Sequence, residues 1–111
     1  MQTTGVTTAS ASTGTIDLVE QDGEQVLRLR GEVDGLVVAA WQAAAPATPR
    51  AAAAVDASAA TFLDCRGLRF LLHETAAARR SGRLPELRRP PRMVRRVVEL
   101  AGAAPLFATV P

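Results

Sequence analysis

The chain has one cysteine, one histidine, no lysine and no tyrosine. A single cysteine excludes an intramolecular disulfide and any zinc cluster built from thiolates. A reducing, cytoplasmic location is the simplest expectation. Aromatic residues make up only 4% of the sequence, so the core must be built from Leu, Val and Ala around Trp41 and the three Phe residues. No run reaches the roughly 18 apolar residues that cross a bilayer, so no membrane association is expected. The opening MQTTGVTTASASTG lacks a basic residue and an apolar core, and does not read as a secretory signal. Glycine-rich phosphate loops and paired carboxylates in catalytic spacing are also missing. The chain is not expected to be an enzyme, to need a cofactor or to hold a metal.

What remains is a chain for one modest domain: 111 residues, 48% hydrophobic, formal charge +2. That charge is too small to imply a polyanion partner by itself. Residues 1–14 offer nothing to bury and read as a disordered tail, with one domain over 15–111. TIDLVE and QVLRLRGE alternate, with Ile16, Leu18, Leu27 and Leu29 inward and Asp17, Arg28 and Arg30 outward. The Asp-Gly pair between them predicts a β-hairpin. LVVAAWQAAA reads as a helix anchored by Trp41 and stopping near Pro46, and AAAAVDAS as a buried strand. A helix from about 65 to 80 follows, with Leu68, Leu71, Leu72 and Thr75 at helical spacing. Pro85 places RLPEL near a sheet edge. The last helix, RMVRRVVELAG, sets Met93, Val94, Val97 and Leu100 against Arg92, Arg95, Arg96 and Glu99, and a short extended piece closes the chain. The order β-β-α-β-α-β-α-β implies an α/β fold: a four- to five-stranded mixed sheet with three main helices packed on it. Right-handed crossovers make its later strands parallel.

Two aspartates fall where a strand gives way to a helix. Asp64 is placed to cap the helix of residues 65–80 through the amide of residue 66 or 67. Cys65 then takes the first helical position, where the helix dipole favours a negative group, a phosphate or a thiolate. Arg66 and Arg69 push in the same direction, while the neighbouring Asp64 carboxylate pushes back; the bland alternative is a small, partly buried cysteine filling a helix start. A phosphatase-like site is excluded because the sixth residue after Cys65 is Leu71, not arginine. His73 lies two turns along, too far to serve the thiol. In GEVD, Gly31 to Asp34, Asp34 is a second cap whose carboxylate shares a rim with Asp64 in a parallel crossover fold. The stretch RRSGRLPELRRPPRMVRR is rich in arginine but mixes in acids and lacks aromatics for base stacking, so it reads as a solvated basic face rather than a nucleic-acid surface.

Together GEVD, VDASAATFLDCRGLRFLL and MVRRVVELAGAAPLF resemble the STAS domain of anti-sigma factor antagonists over about residues 15–110. The resemblance implies the STAS fold and a regulator that binds an anti-sigma factor, usually a GHKL-type serine kinase, and so frees a sigma factor. In that family the serine after the motif aspartate accepts the phosphate, and a phosphate there breaks the complex by repulsion and desolvation. The motif positions here are Gly31, Glu32, Asp34, Asp64, Cys65, Arg66, Gly67 and Arg69. Cys65 stands at the acceptor position and Arg66 replaces the hydroxyl residue after it, so the usual phosphoswitch is expected to be missing. Ser58 and Thr61 are nearby but do not match that position. The first helix is shorter and richer in alanine than is usual in the family, and Pro85 interrupts a strand. Two other functions compete: a redox regulator acting through Cys65, and a nucleic-acid-binding module using the arginine-rich half.

Overall fold

The computed structural model describes residues 7–44 and 52–111. Among them, six strands form one sheet whose spatial order repeats the chain order. β1 (Thr7–Ser10), β2 (Gly14–Gln21) and β3 (Glu24–Val33) are antiparallel neighbours. β4 (Ala54–Leu63), β5 (Glu86–Arg88) and β6 (Ala108–Val110) continue the sheet parallel to β3. The crossovers carry α1 (Gly35–Ala44), α2 (Cys65–Glu74), α3 (Ala76–Arg80) and α4 (Arg92–Leu100), with a short 3-10 turn at Ala104–Leu106 before β6.

Alternation in the hairpin decides which face is covered. Ile16, Leu18, Leu27 and Leu29 are buried together with Val37 and Trp41 of α1, Leu68 and Leu71 of α2, and Val94 and Val98 of α4. Each such side chain contributes about 1.5–3 kcal/mol relative to exposure. Trp41 meets Phe70 edge to face at 5.8 Å, which ties α1 to α2. Asp22 and Gly23 both have positive φ, 52° and 81°, the type I′ geometry that suits a twisted two-residue hairpin. The opposite face is polar around a small cluster of Val19, Val26 and Ala54. There Asp17, only 5% exposed, sits 3.5 Å from Arg28 and 3.7 Å from Arg30. Arg88 pairs with Glu86 at 2.8 Å, Arg89 with Asp56 at 3.0 Å, and Arg83 with Glu24.

Several expectations change. Thr7–Ser10, expected within a disordered tail, form β1 instead, where Ala9 is buried opposite Ile16. The sheet therefore has six strands, not four or five. The helix expected over 65–80 is broken at Thr75, which makes four helices of the expected three. Its cause is a set of competing acceptors and donors. The Glu74 carbonyl accepts from the Ala52 amide at 3.1 Å, ahead of β4, instead of continuing the helix. The Thr75 hydroxyl donates to the Leu71 carbonyl at 2.7 Å, and Arg79 donates to the Leu72 carbonyl at 2.6 Å and to the Thr75 hydroxyl at 2.8 Å. β5 does lie near the sheet edge, as expected, with only the three-residue β6 pairing on its outer side. Pro85 lies just before β5, and its carbonyl accepts from the Ala108 amide at 2.9 Å. On α4 the buried stripe is Val94 and Val98, while Met93 and Leu100 are exposed. The connector PATPR and the first six residues lie outside the described residues.

Candidate functional site

Parallel crossovers bring the ends of β3 and β4, and the starts of α1 and α2, to one rim. Each strand ends in an aspartate that caps the helix after it. The Asp34 carboxylate accepts from the Leu36 amide at 3.0 Å, the Val37 amide at 3.1 Å and the Thr13 hydroxyl at 3.2 Å. The Asp64 carboxylate accepts from the Gly67 amide at 2.8 Å, within the range foreseen from its position. The Asp64 amide in turn donates to the Val33 carbonyl at 3.2 Å, which locks the two strand ends together. Cys65 is the first residue of α2 and is exposed.

The glycines of the rim set how closely its parts approach. A Cβ on Gly67 would lie 2.5 Å from the Val33 carbonyl oxygen and 2.7 Å from Leu63 Cδ1, so only glycine lets α2 start against β3. A Cβ on Gly35 would meet the Arg66 side chain, at 2.6 Å from Nη1 and 2.8 Å from Cδ. Arg66 thus reaches from α2 across the start of α1. Gly31 has φ +69°, and the amide of the next residue, Glu32, donates to the Thr13 carbonyl at 2.9 Å.

β4 reaches the rim irregularly. Arg28 pairs with Asp56 and Arg30 with Ala59; Gly31 pairs with Ala60 and Glu32 with Phe62. In both places β4 spends one more residue than β3, the signature of a bulge. Asp56 holds the first bulge by accepting from the Ser58 amide at 3.0 Å and the Ser58 hydroxyl at 2.7 Å. Burial of Asp56 raises its pKa, but the Ser58 bonds and Arg89 outweigh it and leave the carboxyl below its ordinary value. Beyond the second bulge Phe62 is 39% exposed, and Leu36 on the first turn of α1 is 63% exposed.

All the residues foreseen for the site lie on or beside this rim. Gly31 and Glu32 close β3, Asp34 and Asp64 cap the helices, and Cys65, Arg66, Gly67 and Arg69 occupy the first turns of α2. Leu36 and Phe62 were not foreseen. An apolar residue beside a strand end reads as core, and only the bulge and the helix phase expose these two. His73 is solvent-facing and lies 3.5 Å from Glu74, eight residues from Cys65, so no Cys–His pair forms. Among the described residues no cluster of side chains is suited to hold a metal ion. The rim offers capped helix starts, an exposed thiol, free guanidinium groups and two apolar side chains, the components of a binding surface.

Comparisons with known proteins agree with this architecture. The family model described as "Mlab, STAS domain" matches residues 16–107. Among solved structures, the anti-sigma factor antagonist SpoIIAA in its unphosphorylated form superposes with a TM-score of 0.63 at 20% identity, over 86% of this chain and 88% of that one. An anti-sigma factor antagonist from Mycobacterium paratuberculosis gives a TM-score of 0.64 at 24% identity, over 93% and 90%. No curated protein sequence gives a significant match.

Proposed function

We propose that this chain, which belongs to the STAS domain family, is a non-enzymatic regulator that binds an anti-sigma factor of the serine-kinase type through the rim of α1 and α2, and so releases a sigma factor. The same reading holds that the complex does not respond to serine phosphorylation, because the acceptor position is Cys65. The observation that carries it is the exposed Cys65 at the first position of α2, behind the Asp64 cap and on a rim shared with exposed Leu36. Two antagonists of sigma-factor inhibitors share the fold, which supports the partner class. The rim keeps the helix start that a phosphorylated residue would need, while a thiol is not a substrate for ordinary serine kinases. The reading assigns the protein to the cytoplasm; among the described residues, no helix is long and apolar enough to cross a membrane.

The test pairs the chain with an anti-sigma kinase domain in the presence of ATP and Mg²⁺. The wild type is expected to form a complex that ATP leaves intact, with no phosphate on the antagonist. Cys65→Ser should accept phosphate and make the complex ATP-sensitive, since a doubly charged group at the interface repels and must be desolvated. Failure of the wild type to bind any such domain, or phosphate incorporation elsewhere that dissociates it, would overturn the reading.

A further inference from the structure

Arginines on β3 and β5 and in the loops after α3 and β5 meet carboxylates, as described above. Those on the outer faces of α2 and α4 behave differently. Arg66, Arg69, Arg92, Arg95 and Arg96 are all exposed, and none pairs with a carboxylate among the described residues. The two helices pack side by side. Spacings of three and four residues put the arginines of each helix on adjacent turns, where like charges repel. Neither helix has an acid within its first turn; the Asp64 carboxylate caps the start of α2, whereas the start of α4 has no side-chain cap. Glu99 is the only acid in the shallow cleft of about 230 Å³ that Arg92, Arg95 and Arg96 line. With five exposed arginines against the Asp64 cap and Glu99, the outer face of α2 and α4 carries a net positive field, and an anionic partner would relieve it.

The apolar groups among these charges narrow the choice of partner. Met93 is 45% exposed and Leu100 77% exposed on the arginine side of α4. A helix lying in a membrane surface needs a continuous apolar face opposite its charges. In α4 that face is Val94 and Val98, and it is buried in the core. Single-stranded nucleic acid would need aromatic stacking platforms, and neither α4 nor the outer face of α2 exposes one. Isolated apolar side chains between guanidinium groups suit a protein segment that mixes carboxylates with apolar residues.

We propose that the outer face of α2 and α4 docks an acidic, partly apolar segment of a partner protein. The proposal rests on the binding role stated above, insofar as that segment belongs to the same partner. The probe is a fluorescent peptide of alternating Glu and Leu, titrated into the full chain and followed by anisotropy, beside a labelled DNA duplex and phosphatidylglycerol vesicles. The peptide is expected to bind, and to weaken at least about tenfold as ionic strength rises from about 0.01 M to about 0.15 M. The double variant Arg92→Glu/Arg96→Glu should lose about tenfold in affinity, while Arg80→Glu, at the end of α3, should bind like the wild type. Far-UV circular dichroism checks that the variants fold; if the charge reversal does not, Arg92→Gln/Arg96→Gln should show the same loss, smaller. No peptide binding, undiminished binding by the variants, or tighter binding of the duplex or vesicles would each overturn the inference. Kinase-domain capture and the ATP response of Cys65→Ser read the rim at residue 65 separately. If those succeed while the peptide fails, only the present inference falls.

Discussion

The two strand-to-helix junctions of the rim are built on one plan and differ in what holds them. At the end of β3, Asp34 binds two helix amides and the Thr13 hydroxyl, so the first junction is tied to the connection between β1 and β2. At the end of β4, Asp64 binds one helix amide, and the junction instead depends on the tight seat of Gly67 against Val33 and Leu63. Polar bonds secure the first and close packing secures the second. Cys65, exposed at the first position of α2, sits on the second. A modification there would act on a junction fixed by shape, with few polar bonds to redistribute.

Substitutions can break this comparison in order of effect. Gly67→Ala should be the most damaging, at about 2–3 kcal/mol, because backbone and a core leucine cannot make room, even against the gain in helix propensity. Urea unfolding with an unchanged m-value measures it; a midpoint equal to wild type would show that the second junction is not fixed by packing. Asp34→Ala should cost about 2 kcal/mol and Asp64→Ala about 1 kcal/mol. The same unfolding series tests that ranking, and a reversed order would mean that the bond to Thr13 adds nothing. Gly35→Ala should change stability by no more than about 0.5 kcal/mol, since the atoms it meets belong to the flexible arm of Arg66. A loss comparable to that of Gly67→Ala would show that Arg66 is pinned across α1.

Local chemistry made much of this legible in the sequence. The alternation around Asp22-Gly23 predicted the hairpin and its buried face, and the aspartates at positions 34 and 64 predicted both helix caps and the rim they share. The misread parts depend on contacts made across the chain. β1 has one buried apolar residue, Ala9, and becomes a strand because β2 offers it a free edge. The break at Thr75 requires the Ala52 amide, more than twenty residues upstream, to claim the Glu74 carbonyl. α4 carries two plausible apolar stripes, and the sheet beneath selects the one with Val94 and Val98, which leaves Met93 and Leu100 outside. Phe62 reads as core until the register shows β4 gaining a residue on β3. Periodicity describes an element alone, whereas register and phase are settled between elements.

A sheet whose spatial order repeats its chain order also has a consequence for how the molecule forms. Each strand pairs with the one before it, so no strand must wait for a distant segment to be inserted beside it. The hairpin pairings close short loops and form early, whereas each parallel pairing must first close a crossover of about twenty residues and follows more slowly. Both capped junctions draw their bonds and their close packing from residues 13–67 alone, so β5, α4 and β6 complete the core without supplying a residue to either junction.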